Sequence, residues 1–465
     1  MKRWHFTAGL SVLAGLAAAL VPTVLERVPL ALPPDVPPPP LVPRAEGGPL
    51  TLIERLDQSA IPAEGVSERY VVVEVSAPDD GSGTRRPVHL AVVLDTSGSM
   101  SGRDKITMAR MAARELVDEL RPADSFALVG FSDATRTYIH ASSADGDKAA
   151  WGRIIDGIDP SGGTNLYDGV ATGFAQLEAM DGDAASRLVV LSDGMANVGV
   201  TEPGALRTLA ASHTADGITV SALGLGLDFN EDLLAAMSDA GGGSYAFVDR
   251  PGELGELLHD ELAAMAAVAG RHAVLDVAMS PGVELVDVYA PSAEIRGDGF
   301  RVFLGDVHAG ERRKIVARVR VTAGATGALP VSTAHLDYVR AADSEQAIAD
   351  ASVNAEVTAD LARVDRSVDA DAGKQVMRAV SGAGLQNAAN AYGQGKGRQA
   401  QQELDAGRKV LQSLGSRYRD LEGAAELDAD LGSAAARFDA APSASEDGLY
   451  LAKKAKEEAR ELRSH

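Results

Sequence analysis

Residues 88–95 read Val-His-Leu-Ala-Val-Val-Leu-Asp, an apolar, valine-rich run with one polar interruption before its final acid. Such a run matches a strand buried on both faces, the kind found inside a parallel sheet whose crossover helices cover it above and below. It is followed at once by Thr96-Ser97-Gly98-Ser99-Met100, a turn crowded with hydroxyls. In an open α/β sheet, ligands are taken in the crevice beyond the carboxyl ends of the strands. Asp95, Ser97 and Ser99 are therefore expected where such a fold keeps its chemistry. All three carry oxygen, the donor that hard cations prefer.

The surrounding chain supports that placement. Residues 86–266 alternate strand and helix patterns, which predicts a doubly wound α/β domain with a parallel sheet. A helix is expected over 105–120, where Met108, Ala109, Ala112, Ala113, Leu116, Val117 and Leu120 recur at the helical period. Strands are expected at 125–131, 187–191, 217–225 and 244–248, with helices over 151–155 and 166–180. The strand at 187–191 repeats the opening theme, ending in Ser192-Asp193-Gly194. A loop at 160–165 supplies Thr164.

Outside this domain the register changes. Residues 267–358 hold short strand patterns parted by Gly, Pro and Asp turns, as in Ile315-Val316-Ala317-Arg318-Val319-Arg320-Val321, and read as a β-sandwich-like region. Residues 49–85 are also strand-like, most clearly in Arg69-Tyr70-Val71-Val72-Val73-Glu74-Val75, and are expected to pair with the later strands, leaving the α/β domain inserted between two halves of the sandwich. Residues 359–465, rich in Ala, Gln, Lys, Arg and Glu, form a helical region. Its firmest helices are expected at 398–421 and 449–462, packing through Leu404, Val410, Leu411 and Leu414, while Gly382, Gly384, Gly393, Gly395 and Gly397 read as punctuation.

The first 32 residues carry Lys2 and Arg3 ahead of an apolar run, the pattern of an export signal or N-terminal membrane anchor. Ala17-Ala18-Ala19 would suit cleavage, while a run of about 19 apolar residues is long enough to span a bilayer once, so both readings stand. A proline-rich linker follows over 33–48. The remainder is thus expected outside the cytoplasm, in the periplasm, the cell envelope or the extracellular space.

Composition removes several classes of function. A net charge of −22 argues against nucleic acid or an anionic membrane surface as the main partner. The absence of cysteine excludes thiol catalysis, thiolate metal sites and disulfides. Nine histidines without H-E-x-x-H spacing speak against a zinc hydrolase. No G-x-S-x-G surrounds Ser97 or Ser99, and Ser97 stands where a haloacid dehalogenase-type phosphotransferase would carry its second acid.

Asp95-x-Ser97-x-Ser99, the distant Thr164 and the distant Asp193 together resemble the metal-ion-dependent adhesion site of the von Willebrand factor type A domain, over roughly residues 86–266. The flanks more loosely resemble bacterial exported proteins that carry this domain between β-strand regions. The resemblance implies that these five residues hold Mg²⁺, or alternatively Mn²⁺ or Ca²⁺. Mg²⁺ takes near-octahedral oxygen and is usually held by only one or two carboxylates, so it retains positive charge and an exchangeable position. An Asp or Glu carboxylate of a partner protein would complete that shell: binding, not turnover. Met100, Asn165, Tyr167 and Asn197 are expected at the ligand-binding rim, although packing suits Met100 and Tyr167 at least equally well, and helix capping or loop hydrogen bonding explains Asn197 more cheaply. The alternative is a structural or assembly component of the envelope in which the ion only rigidifies the loops.

Overall fold

The computed structural model describes residues 45–464, except for residue 47, 80–86, 183, 194–195, 227–230, 249–252 and 291–292. The expected signal or anchor, most of the proline-rich linker, and Gly194 lie outside the described residues. Among those described, no helix is long and apolar enough to cross a membrane.

The chain opens with β1 (Ala45–Glu46), β2 (Thr51–Leu56), β3 (Ala60–Pro62) and β4 (Val66–Ser76). The α/β domain follows as β5 (Val88–Asp95), α1 (Lys105–Glu119), β6 (Ser125–Phe131), β7 (Thr135–Ser143), α2 (Lys148–Asp156), α3 (Leu166–Glu178), β8 (Ala185–Ser192), α4 (Pro203–Ala215), β9 (Ile218–Leu225), α5 (Glu231–Ala240), β10 (Gly242–Val248) and α6 (Glu253–Ala266). Its sheet runs β10-β9-β8-β5-β6-β7, parallel throughout except for the antiparallel edge pair β6–β7. Alternation along β5 divides the domain's two cores. Val88, Leu90, Val92 and Leu94 pack beneath α1, α2 and α6, while Ala91 and Val93 pack against α3 on the opposite face. Every β5 residue is buried, which explains the run of apolar residues from Leu90 to Leu94.

Beyond α6 come β11 (Val268–Met279), β12 (Val283–Tyr289), β13 (Glu294–Arg296), β14 (Gly299–His308), β15 (Arg312–Thr322), β16 (Gly327–Arg340) and β17 (Gln346–Thr358). They do not close a sandwich alone. β4 pairs antiparallel with β15 along its whole length, β2 pairs with β4, and β3 runs parallel to β17. The result is a four-stranded sheet, β12-β15-β4-β2, facing a larger sheet built on β17, β16, β11 and β14. The α/β domain leaves from one sheet after β4 and re-enters the other at β11.

The last region comprises α7 (Leu361–Arg366), α8 (Ala370–Gly393), α9 (Gly397–Tyr418), α10 (Leu421–Ala440) and α11 (Glu446–Ser464). Its helices cover the outer face of the four-stranded sheet. Tyr70 and Val72 of β4 and Val316 of β15 join the helical core, whereas Val71, Val73 and Val75 point into the sandwich. That two-sided burial accounts for the continuous Tyr-Val-Val-Val.

Two expectations need correction here. α8 runs unbroken through Gly382 and Gly384, because these glycines let helices approach closely rather than end. A Cβ at Gly382 would lie 2.8 Å from the Ala459 carbonyl oxygen of α11, and Gly384 faces Gly407 of α9. Val410, expected in the packing stripe with Leu404, Leu411 and Leu414, is instead 41% exposed.

Candidate functional site

The sheet order places β6 on one side of β5 and β8 on the other, so successive connections leave β5 in opposite directions. The crevice at such a switch point opens beyond the carboxyl ends of β5 and β8. Leu94 pairs with Leu191 in register, which brings Asp95 and Ser192-Asp193 out side by side.

Short hydrogen bonds knit these residues together. Asp95 Oδ1 accepts the Ser97 backbone N–H at 2.8 Å, and Oδ2 accepts the Ser192 hydroxyl at 2.7 Å. The Ser97 and Ser99 hydroxyl oxygens lie 2.9 Å apart, and the Ser99 hydroxyl donates to Asp193 Oδ1 at 2.8 Å. Asp193 Oδ2 accepts from the Lys105 ammonium at 2.5 Å. Asp95 and Asp193 have no exposed surface; Ser99 is the exposed member through which the cluster meets solvent. Burial pushes the Asp95 carboxyl above its ordinary value. Hydrogen bonds from the Ser97 and Ser192 side chains and the Ser97 backbone oppose that rise, while the neighbouring Asp193 charge adds to it.

The Thr164 loop is tied to the Asp95 loop through the backbone. The Gly98 N–H donates to the Gly162 carbonyl at 3.0 Å and the Ser161 N–H to the Thr96 carbonyl at 2.7 Å, tying the two loops directly. The Thr164 N–H is held by Asn197 Oδ1 at 2.8 Å, and its carbonyl accepts the Asn197 N–H at 3.1 Å.

The rim residues separate. Asn197 is exposed and Tyr167 is half-buried, packed against the core that contains Phe131 and Val170. Met100 has no exposed surface and sits inside the α1-side core, so it presents nothing to a ligand. Asn165 is buried too: it is the N-cap of α3, accepting the Asp168 N–H at 3.4 Å and donating through Nδ2 to Asp168 Oδ2 at 2.7 Å. Both are corrections to the expected rim, and both arise because residues beside a strand end are claimed first by the core and by helix capping. Lys105 was missed, since a lysine at the start of a helix reads as solvent-exposed until the fold brings it to Asp193, 88 positions away.

The donor set suits a hard divalent ion: it is all oxygen, with two buried carboxylates near enough for one charge to act on the other, and hydroxyls alongside. No three acidic, histidine or cysteine side chains converge on a metal among the described residues. An ion here would therefore rest partly on hydroxyl oxygen.

Residues 90–196 match the family model described as the von Willebrand factor type A domain, and the chain contains that domain. It is 26% identical over 246 residues to the uncharacterized protein YfbK of Escherichia coli (strain K12), covering 51% of this chain and 43% of that protein. The chain spans about half the length of the curated relatives it matches. Among solved structures, a von Willebrand factor type A protein from Catenulispora acidiphila superposes with a TM-score of 0.65 at 19% identity, covering 82% of this chain and 89% of that one. The ArnB paralog VWA2 from Sulfolobus acidocaldarius gives a TM-score of 0.57 at 16% identity, covering 89% and 99%. These likenesses reach well beyond the α/β domain and show a shared fold.

Proposed function

We propose that this protein is a metal-dependent adhesion module that works outside the cytoplasm, capturing an Asp or Glu carboxylate of a partner protein. The von Willebrand factor type A domain is a module that commonly mediates protein–protein interaction. Asp95, Ser97, Ser99, Thr164 and Asp193 are the residues that would hold Mg²⁺, or alternatively Mn²⁺ or Ca²⁺. When bound, the ion supplies an electropositive point with a position open to an external carboxylate.

The single observation that carries this reading is the linked cluster Asp95, Ser97, Ser99 and Asp193 at the switch point, with Ser99 exposed. Asp95 and Asp193 are set by the ends of β5 and β8, and Ser97 by the bond from its N–H to Asp95. The loops are already joined by direct backbone hydrogen bonds, so rigidity alone gives little reason for an ion there. That favours the adhesion reading over a structural ion.

Calorimetric titration of Mg²⁺ and Mn²⁺ into the full chain, with and without a short acidic peptide, tests it. Metal binding that tightens with peptide is expected, because two ligands that favour one another must do so reciprocally. Metal binding indifferent to the peptide would leave only the structural role, and no metal binding would end the proposal. Asp95→Ala should weaken Mg²⁺ binding on the order of a hundredfold while the chain keeps its fold.

A further inference from the structure

Lys105 opens α1 with its side chain only 7% exposed, and its ammonium lies 2.5 Å from Asp193 Oδ2. Packing holds it there as well as charge. Gly226 follows β9 with φ +77°, and a Cβ at that position would come within 3.0 Å of Lys105 Cε. The next inward positions of α1 are Ile106, Ala109, Ala112 and Ala113. An apolar side chain at 105 would avoid the cost of desolvating an ammonium, so the lysine's charge is the feature that needs a reason.

The reason lies in the charge count. Asp95 and Asp193 contribute two negative charges and Lys105 one positive, a net of about −1 before any ion is present. A dication over two bare carboxylates would be neutralised; over this set it retains about one positive charge. Both Asp193 oxygens are also engaged, Oδ1 by the Ser99 hydroxyl and Oδ2 by Lys105.

We propose that Lys105 is a positioning residue that sets the balance between holding the ion and holding the ligand. By cancelling the Asp193 charge it weakens binding of the dication alone and leaves on the site the positive charge that draws a partner's carboxylate. This rests on the adhesion reading above and adds a residue to it.

The test compares the full-length wild type with Lys105→Met, Lys105→Gln and Lys105→Arg by calorimetry, using MgCl₂ alone and MgCl₂ with the peptide acetyl-Gly-Asp-Gly-amide. The neutral variants should bind Mg²⁺ alone about tenfold tighter or more, and the further tightening by peptide should shrink. The arginine variant should stay near wild type, a rescue that a purely space-filling role would not give. A wild type that binds Mg²⁺ beside folded neutral variants that bind it no tighter overturns the role of Lys105. A wild type that binds no Mg²⁺ overturns the adhesion reading itself, and this inference with it. Should neither neutral variant fold, the lysine ammonium resonances of ¹⁵N-lysine-labelled wild type decide: the Lys105 signal persists at saturating Mg²⁺ if the pair endures, and its loss on metal binding overturns the proposal.

Discussion

Two strands of this protein end in the same way. Leu56-Asp57-Gln58-Ser59 closes β2 in the sandwich, and Leu94-Asp95-Thr96-Ser97 closes β5 in the α/β domain; both acids have no exposed surface. Their surroundings differ in kind. Asp57 Oδ1 accepts the Tyr70 N–H at 2.8 Å, Oδ2 accepts the Tyr418 hydroxyl at 2.9 Å, and the Arg417 guanidinium stands 3.7 Å away. Burial pushes the Asp57 carboxyl up, and those two hydrogen bonds and the Arg69 and Arg417 charges pull it back. Asp95 faces neutral donors and a second acid. One carboxylate is answered from inside the fold and staples the sandwich to the helical region. The other is left with unanswered negative charge at a crevice, which is what a site for a cation requires.

The two acids should therefore respond unequally to removal. Asp57→Ala strips a partner from Tyr418, Arg69 and Arg417 inside the protein, and should cost about 3–5 kcal/mol in urea denaturation at neutral pH. Asp95→Ala loses the hydrogen bonds from the Ser192 hydroxyl and the Ser97 N–H but relieves the repulsion with Asp193, so its stability should stay within about 1–2 kcal/mol of wild type in the absence of metal. A larger stability loss at Asp95 than at Asp57 would break the comparison.

Glu54, within β2 and three residues before Asp57, sharpens it. Its Oε1 accepts the Ser332 hydroxyl from the opposite sheet at 2.5 Å, while its buried Oε2 finds no hydrogen-bond partner among the described residues. Burial holds this carboxyl up at about 7, against 4.5 ordinarily, despite the Ser332 bond. Because the folded value is raised, the stability that goes with the protonated form is fully present below about pH 4.5 and is lost as pH rises through about 7. Glu54 should therefore contribute a fall in stability of roughly 2–3 kcal/mol between about pH 5 and pH 8, and Glu54→Gln should remove that share of the slope, while Glu231, which burial also raises to about 7, keeps its own. An unchanged slope in the glutamine variant would mean that some other group titrates.

Legibility in the sequence follows the distance between partners. β5 could be read because all of its residues are buried and the pattern needs no knowledge of its neighbours. The insertion of the α/β domain could be read because two incomplete strand groups flank one complete domain. The loop residues Asp95, Ser97 and Ser99 lie within five positions, so spacing alone brought them together, and a strand ending in Ser192-Asp193 repeated the signal. Asp57 escaped because its decisive partner, Tyr418, is 361 positions away. Lys105 escaped for the same reason on a smaller scale. The glycines of α8 were misread because a glycine that breaks a helix and one that lets two helices touch look alike until the second helix is in place.

Asn165 offers the smallest effect and the finest test of where the site ends. Spacing puts it beside Thr164 and suggests a rim residue, yet its side chain is buried and caps α3 through Asp168. Removing an N-cap of this type costs about 1 kcal/mol. Asn165→Ala should therefore lower stability by that amount and change Mg²⁺ and peptide affinity by no more than about threefold, since its backbone N–H still donates to the Ser132 carbonyl at 2.8 Å and keeps the Thr164 loop in place. A tenfold loss of peptide affinity at unchanged stability would return Asn165 to the rim. The boundary between residues that build the crevice and residues that serve it would then lie one position further along the loop.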